Sequence, residues 1–342
     1  ALTLCALRGY ESPLDEALEG ANMQKETLDA LWTATREFLP DFRRYLRAKA
    51  RLLGHEGGLP FYDLFAPVGD PGETFTLSAA RELLERVLGG FDGEMGALIS
   101  EMFEGRRIDV YPRPGKQGGA FCSGVCPAGV SYILANFDGS MNAVSTLAHE
   151  LGHAYHDRQL FPGGPLMADA PMPLCETASI FNETLTVKKL LEGAPRSEAL
   201  FLLDQSLIND TQTVVDIYSR FLFESAVFEA RKTRMLGAKD FCEMMLAAQK
   251  ESYGDGLSAL HPYMWACKSH YYSPSLHFYN FPYAFGLLFG KGVFARYEKM
   301  GAKAFVPEYR ALLKATATGD VEDVALGVGI DVKSPAFWRE SL

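Results

Sequence analysis

The segment from Leu147 to His156, which reads LAHELGHAYH, constrains this 342-residue chain more than any other stretch. Its two histidines are four residues apart, about one helical turn, so His149 and His153 face the same side of a helix. Two imidazoles in that arrangement can bind one tetrahedral Zn²⁺ ion. Glu150 is directed toward the cleft rather than at the metal, where it can take a proton from a water molecule that the metal activates.

The pattern could also have no function, because three fixed residues in five can arise by chance. A histidine pair on a helix is often only packed in the core or exposed to solvent. Two features favour the metal site. Gly152 between the histidines costs about 1 kcal/mol of helix propensity, so we expect something to approach the backbone closely at this position. The segment also has an apolar helical face, which predicts a buried helix: Val144, Leu147, Ala148, Leu151 and Ala154.

Charge and composition limit the partners that we expect. The formal net charge is −10 and no block of Lys or Arg is present, which argues against a nucleic-acid surface. No apolar run reaches the 18 or so residues of a membrane span. The apolar start from Ala1 to Arg8 lacks the basic leader of a signal peptide. Because the first residue is not Met, we expect the chain to begin inside a longer reading frame or to have been trimmed.

The six cysteines do not have the pattern of a disulfide scaffold. Cys122 and Cys126 are the only near pair, and we interpret them as loop thiols. No further Cys/His cluster is visible in the sequence, so a single metal ion per chain is expected. This cysteine usage favours the reducing cytoplasm.

Hydrophobic periodicity predicts helices along most of the chain. One is expected at 25–53, with Pro40 as a break or kink. Another is expected to start from an N-cap at Ser78, run to Leu88 and stop at Gly89 and Gly90. The remaining helices are expected at 94–103, from 139 through the histidine motif, at 174–191, at 197–235 as one or two helices, at 240–252, 283–299 and 302–315, and from 320 onward.

The only stretch with β signals lies at 108–137. Strands are expected at 108–111, 118–121 and 131–137, with 122–130 as the loop between the last two. Because the strands come just before the motif helix, the sequence predicts a mainly α fold with a small β-sheet. We expect a single catalytic domain over 1–342, in which 1–107 is helical, 108–137 forms the sheet, and 138–342 is the helical part with the metal site and the substrate-binding residues.

A zinc site in a hydrolase needs three protein ligands and an open position for water. The metzincin pattern requires a glycine and then a third histidine after His153, but this chain has His156 and Gln159 at those positions. The alternative is a glutamate on a second helix. Glu176 and Glu183 lie two turns apart on one helical face, so Glu176 is expected on the metal and Glu183 on the outer N–H of a ligating histidine. His156 is expected to be packed or to support a ligand.

Several stretches together resemble the oligoendopeptidase F branch of the thimet-oligopeptidase family. They are GKQGGAF at 115–121, the motif at 147–156, residues 176–179 with Glu183, and the stretches 7–10, 14–17 and 335–339. The resemblance covers the whole chain, although family members usually carry a large additional N-terminal region. It implies a zincin-like (gluzincin) helical metallopeptidase with a deep substrate cleft. It also implies one Zn²⁺ per chain held by His149, His153 and Glu176, with Glu150 as the general base.

The resemblance also singles out the aromatic segment 269–286, which reads SHYYSPSLHFYNFPYAFG. Family members take oxyanion and substrate groups from this segment, so His270 and Tyr283 are expected to hold the developing oxyanion. Further substrate contacts are expected from Tyr272, His277 and Tyr279. Spacing leaves open which histidine is functional. We prefer His270, because the two later tyrosines then fall where the family has its own.

Together these features predict a cytoplasmic zinc endopeptidase that hydrolyses internal bonds of short oligopeptides. The peptide is expected to lie as an added antiparallel strand along the edge formed by Gly118, Gly119, Ala120 and Phe121. Two alternatives stay open. One is a metallo-carboxypeptidase on a similar helical scaffold, which needs a cationic pocket for which no Arg stands out. The other is an inactive relative that binds peptides without cleaving them.

Overall fold

The computed structural model describes residues 1–72 and 74–342, and within them the fold is mainly α with a small sheet, which confirms the predicted class. Most helices lie within a few residues of their predicted positions. Their bounds are α1 (Leu2–Arg8), α2 (Pro13–Gly20), α3 (Lys25–Leu52), α4 (Leu77–Phe91), α5 (Gly93–Glu104), α6 (Met141–Leu160), α7 (Met172–Cys175), α8 (Thr177–Leu191), α9 (Arg196–Asp210), α10 (Ile217–Arg231), α11 (Ala238–Tyr253), α12 (Phe281–Met300), α13 (Ala302–Ala315), α14 (Val321–Gly327) and α15 (Pro335–Ser341).

The long helix α3 continues through Pro40, so of the break or kink expected there, the break is absent. A proline inside a helix removes one backbone hydrogen bond. Here Pro40 lies on the exposed face, where water can satisfy the freed carbonyl, while Leu39 and Leu46 are buried in the core. Burial of the opposite face therefore holds the helix together across the proline.

The ends of α4 also differ from the prediction. Thr76, not Ser78, caps the helix, because its hydroxyl accepts a hydrogen bond from the Ala79 N–H at 3.1 Å. The glycines at 89 and 90 lie inside the helix rather than ending it. A Cβ on Gly89 would stand 3.2 Å from the backbone of Gly96, so this glycine permits close packing of α4 on α5.

The predicted sheet is present, with its strands shifted. Strand β3 (Phe121–Val125) pairs antiparallel with β4 (Val130–Leu134), and the short β2 (Ile108–Asp109) pairs parallel with β4. Residues 118–120 are not in a strand, and Cys122 lies in β3 rather than in a loop. Gly119 has a φ of +79°, and the side chain of Asn136, which is distant in sequence, donates to the carbonyls of Gln117 and Gly119, both at 2.9 Å. A second strand pair, β1 (Leu59–Pro60) with β5 (Leu257–Ala259), lies outside the predicted β region.

Two helical stretches contain irregularities near the cleft. The predicted helix at 174–191 is interrupted at Glu176, which separates α7 from α8. The predicted stretch at 197–235 is α9 and α10 joined by a π-helical segment at 211–216. Such wide turns are common at functional sites. Among the described residues, no helix is long and apolar enough to cross a membrane.

Helix α6 is held between α8 and the sheet. A stack of aromatic rings packs beside α8, with Phe181 4.7 Å from both Phe91 and Tyr309 between ring centroids. On the other side, Ser131 of β4 donates a hydrogen bond to Asp157 of α6 at 2.6 Å. Aromatic packing and buried hydrogen bonds of this kind fix the position of the helix. The motif histidines therefore stand on a rigid element.

Candidate metal centre and active site

Helix α6 presents His149 and His153 on one side, as their spacing predicts, and Glu176 approaches from the break between α7 and α8. Oε2 of Glu176 lies 3.3 Å from Nε2 of His149 and 3.4 Å from Nε2 of His153. Three atoms of the kinds that bind zinc thus converge. The structure brings together the three residues expected as ligands.

The separations between these atoms suit a zinc ion. With bonds of about 2.0–2.1 Å, two N or O ligands of a tetrahedral site lie about 3.3 Å apart. The distances from Glu176 to the two histidines match that value. A direct charge-assisted hydrogen bond between an imidazole and a carboxylate is shorter, about 2.7–2.9 Å. The three side chains are therefore spaced like ligands of one Zn²⁺ rather than like an ion pair.

Glu176 reaches the histidines because glycines allow the helices to approach. A Cβ on Gly152 would lie 2.5 Å from the carbonyl oxygen of Ala178, so α6 and α8 touch at the backbone, which confirms the close approach expected at this glycine. A Cβ on Gly286 of α12 would lie 2.9 Å from Cβ of Glu176. The hydroxyl of Ser179 donates to Oε2 of Glu176 at 2.7 Å, which orients the carboxylate.

Glu183 faces the other nitrogen of His149. Its Oε2 is 3.3 Å from Nδ1, while Glu176 faces Nε2. Burial lowers the pKa of His149, but the carboxylates of Glu176 and Glu183 outweigh burial and raise it to about 10. The surroundings of this imidazole are therefore strongly negative, which favours a bound cation.

Glu150 is buried beside the ligands, and its Oε2 has no hydrogen-bond partner among the described residues. Burial raises the pKa of its carboxyl, while His149 and His153 oppose that shift. A carboxylate with a raised pKa and a free oxygen is suited to exchange a proton near neutral pH. Glu150 lies beside both histidines but is not among the residues that line the described cleft, so its role as the general base stays a prediction.

A cleft of about 840 Å³ opens beside the ligands. Its walls come from α6, α8, α9 and α12, and His149, Glu176, Glu183 and Tyr283 line it. Tyr283 is half-buried, and its hydroxyl is 2.7 Å from that of Tyr279. A hydroxyl at the wall of the cleft can donate to a bound carbonyl oxygen.

His270 lies behind these tyrosines. Its ring packs on Tyr279 with centroids 5.5 Å apart, and its Nε2 has no partner among the described residues. Burial, together with the charges of Arg220 and Lys268, lowers the pKa of His270 to about 4. The imidazole is therefore neutral at pH 7 and keeps one N–H to donate.

The structure does not bring every expected residue to the cleft. His277 is buried against Glu16, with Nε2 3.0 Å from Oε2. His156 is buried, and its Nε2 is hydrogen-bonded to the hydroxyl of Thr316 at 2.8 Å. Tyr272 is exposed, and its hydroxyl donates to the carbonyl of Ala266 at 3.1 Å. Because His277 is committed to Glu16, His270 is the histidine that stands near the tyrosines.

Residues 118–121 are likewise absent from the described lining of the cleft, and Phe121 is exposed at the start of β3. The next residue, Cys122, lies close to the site. Burial, together with the nearby carboxylates of Asp157 and Glu150, raises the pKa of its thiol well above the usual range. Since β3 is an edge strand of its sheet, its open side remains available to another strand.

Two features of the site were not expected from the sequence. Asp157 stands one turn after His153 and accepts a hydrogen bond from Ser131, so it ties the ligand helix to the sheet. The sequence could have indicated Asp157, because it follows His153 by four residues and so lies on the same face of the helix. Lys291 of α12 lines the cleft and pairs with Asp210 at the end of α9. Lys291 and Asp210 are far apart in the sequence, so no local sequence pattern predicts that they pair.

Comparison with known proteins supports this description. A profile of Peptidase family M3 matches residues 2–342. The oligoendopeptidase F homolog of Lactococcus lactis subsp. lactis (strain IL1403) is 27% identical over 338 residues, which are 97% of this chain and 55% of that protein. Oligopeptidase PepF of Bacillus subtilis (strain 168) is 27% identical over 339 residues, 96% of this chain and 49% of the relative. The chain spans about half the length of the curated relatives it matches.

Solved structures show the same fold. PZ peptidase A with inhibitor 2 has a TM-score of 0.77 at 15% identity, over 99% of this chain and 61% of that one. Oligoendopeptidase-F from Enterococcus faecium has a TM-score of 0.70 at 21% identity, over 97% and 53% of the two chains. The resemblance to oligoendopeptidase F is thereby confirmed, and because the family profile covers nearly every residue, this chain belongs to peptidase family M3.

Proposed function

We propose that this chain is a zinc-dependent endopeptidase that hydrolyses internal bonds of short oligopeptides. The observation that carries the proposal is the convergence of His149, His153 and Glu176, two of which, His149 and Glu176, line the cleft, with the buried carboxylate of Glu150 beside them. The names of the relatives, which are oligopeptidases, point in the same direction. One Zn²⁺ at this site would polarise the scissile carbonyl and a water molecule.

The residues of the chain would divide the remaining work. Glu150 takes the proton from the attacking water and delivers it to the leaving amine. Tyr283 donates its hydroxyl to the developing oxyanion, with His270 joined to it through Tyr279. Glu183 holds His149 in the orientation in which Nε2 faces the metal.

The substrate is proposed to bind as a strand beside β3. An edge strand offers backbone groups to an extended peptide without reading its side chains. The loop before β3 is firmly held, because the buried Lys116 donates to the carbonyls of Asp109 at 2.9 Å and Tyr111 at 3.0 Å. A preorganised edge costs less entropy on binding.

The charges of the cleft favour an endopeptidase over a carboxypeptidase. A carboxypeptidase needs an uncommitted cation for the free carboxylate of its substrate. The lysines that line the described cleft are each paired, Lys291 with Asp210 and Lys188 with Glu298. We propose that the whole described chain acts as one catalytic unit, because a single apolar core extends from α2 to α15.

We also propose that the protein works in the cytoplasm. Its six cysteines are all free, including the buried Cys5. Free thiols persist in a reducing compartment.

A peptide digest analysed by mass spectrometry tests the function. Peptides with acetylated N-termini and amidated C-termini are expected to be cut internally. Release of single C-terminal residues from free-acid peptides alone would instead support the carboxypeptidase. Binding without any cleavage would support the inactive relative.

Matched variants test the division of roles. Glu150→Gln should keep the metal and lose about 10²–10⁴ in kcat, because an amide cannot accept the proton. Glu176→Gln should lose metal, since it removes a charged ligand. Metal content and kcat are measured on both, and equal metal loss in the two variants would contradict the assignment.

A further inference from the structure

A second group of metal-binding side chains lies away from the cleft, where α1 and α2 meet the aromatic segment. Sγ of Cys5 is 3.0 Å from Oε2 of Glu16, and Nε2 of His277 is 3.0 Å from the same oxygen. All three atoms lie within 4.8 Å of one another. The three residues come from separate parts of the chain, so only the fold brings them together.

This group is enclosed and already arranged around one point. Cys5 is 2% exposed and the His277 side chain 6%. Arg8 binds Oε1 of Glu16, which leaves Oε2 facing the thiol and the imidazole. Burial and the Glu16 carboxylate together raise the pKa of Cys5 to about 11. The free thiol is therefore neutral. A divalent cation bound here would displace the thiol proton and leave a thiolate.

We propose that Cys5, Glu16 and His277 form a second Zn²⁺ site. A thiolate, a carboxylate and an imidazole are each established zinc ligands. When the ion binds, the S–H bond breaks, a Zn–S bond forms and the proton leaves to solvent. The thiolate and the carboxylate then offset the two charges of the ion.

The two separations from Glu16 are close to those of a zinc site, and the third, between Sγ of Cys5 and Nε2 of His277, is at most 4.8 Å. In a tetrahedral site, an N and an O ligand lie about 3.3 Å apart, and an S and an O ligand about 3.6 Å. The observed separations from Glu16 are both 3.0 Å, so each partner moves outward by a few tenths of an ångström. The two 3.0 Å contacts are hydrogen bonds, and both would lengthen when the ion binds between the three side chains.

A metal here would anchor the aromatic segment. His277 precedes Phe278, whose N–H donates to Glu224 at 2.8 Å and whose φ is +51°. Tyr279 follows and touches the hydroxyl of Tyr283. The ion would thus tie α1 and α2 to the stretch that positions these tyrosines.

The test uses the whole 342-residue chain, stripped of metal and titrated with Co²⁺ as a spectroscopic probe. A cysteine ligand gives an intense near-ultraviolet charge-transfer band, which His149, His153 and Glu176 cannot produce. The parent should show this band, and Cys5→Ser should lose it. Cys267→Ser is the matched control, because that thiol is exposed and its hydrogen bonds among the described residues are to Met264.

Zinc content measured by plasma mass spectrometry gives an independent count. The parent should hold two ions per chain, Cys5→Ser one and His153→Ala one. If circular dichroism shows that Cys5→Ser is unfolded, Glu16→Gln replaces it, with the same expected loss of one ion. A charge-transfer band that survives both substitutions, or a parent with a single ion that His153→Ala removes, would overturn the proposal. A single ion that His153→Ala leaves and Cys5→Ser removes would support this site and contradict the proposed catalytic one.

Discussion

Gly152 stands between the two histidines of α6, in the middle of a helix where glycine is unfavourable. The structure explains the residue by contact, because a Cβ at this position would overlap the backbone of Ala178 and Ser179 at 2.5 Å. That approach sets the distance between α6 and α8. The position of Glu176 relative to the histidines therefore depends on the absence of a side chain at Gly152.

Gly152→Ala is expected to destabilise the protein by about 1–3 kcal/mol, since the helices must separate. Metal retention should fall with it, because the ligands lie on the two helices. Urea unfolding and metal content measure these effects. Gly90→Ala is the matched control: it is also helical and has nothing within 4 Å of an added Cβ, so it should stabilise by up to about 1 kcal/mol. Equal effects of the two substitutions would refute the contact argument.

Tyr283→Phe removes one hydroxyl and little volume at the wall of the cleft. If that hydroxyl donates to the oxyanion, kcat should fall by about 10²–10³ while KM changes much less. Tyr279→Phe removes the neighbouring hydroxyl, 2.7 Å away, and leaves that of Tyr283 in place, so it should cost far less. Steady-state kinetics of both variants on one fluorescence-quenched peptide substrate distinguishes the two effects. A kcat within about threefold of the parent for Tyr283→Phe would return it to a packing role.

The aromatic segment before α12 is an irregular element held by a few polar contacts. Glu224 of α10 is one of them: it is 6% exposed, and its Oε1 accepts the Phe278 N–H at 2.8 Å. Burial raises the pKa of Glu224 to about 7, while the Phe278 N–H and Arg220 oppose the shift. The segment is therefore anchored on a carboxyl that is partly protonated at neutral pH.

The pKa of Glu224 makes its contribution depend on pH. Because the folded pKa lies above the unfolded value of 4.5, the folded state binds more protons between pH 4.5 and 7. Stability is lost as pH rises through this window, by an amount on the order of 3 kcal/mol. Glu224→Gln keeps an acceptor for the Phe278 N–H and removes the charge. Its stability relative to the parent should therefore rise from pH 5 to pH 8.

Thermal and urea unfolding at several pH values measure this difference. Glu229→Gln is the control on the same helix, because Glu229 is exposed and pairs only with Lys232. Its difference from the parent should stay nearly flat with pH. A flat difference for Glu224→Gln as well would show that the carboxyl does not titrate in this window.

The whole molecule is joined by buried polar contacts between helices distant in sequence. Asp92 is the clearest: it caps α5 through the Glu94 N–H at 3.0 Å and accepts hydrogen bonds from Tyr155 of α6 and Arg310 of α13. Burial opposes its charge, but Arg310 and Tyr155 outweigh burial and hold the pKa of Asp92 below its ordinary value. One carboxylate thus connects α5, α6 and α13.

Asp92→Asn is expected to cost about 1–3 kcal/mol at pH 7, because it weakens the hydrogen bonds that the buried carboxylate accepts from Tyr155 and the partly exposed Arg310. The pKa of Asp92 is depressed, so its stabilisation is present above about pH 4 and disappears as pH falls through the folded pKa. The cost of the substitution should shrink accordingly in acid. Urea unfolding at pH 7 and pH 3 measures it. Asp41→Asn breaks an exposed pair with Arg44 and should cost about 0–1 kcal/mol at either pH.

Local patterns predicted most of the fold. Helical periodicity located α6, α12 and α13, and β signals located the sheet. The misplaced boundaries share one cause, since each depends on a tertiary contact: Gly89 packs on Gly96, and the Asn136 side chain holds residues 117–119 out of a strand. Pro40 was misjudged because burial of the opposite helix face outweighs its local cost.

The sequence by itself determined the common face of His149 and His153 and the placement of Glu150 beside them, because helix geometry converts spacing directly into direction. It also predicted Glu176 as the third ligand, because His156 and Gln159 exclude the metzincin spacing. Only the tertiary structure decided that His277 joins Cys5 and Glu16, and that Lys291 pairs with Asp210. These residues meet through helix packing over long sequence separations, and no periodic pattern carries that information.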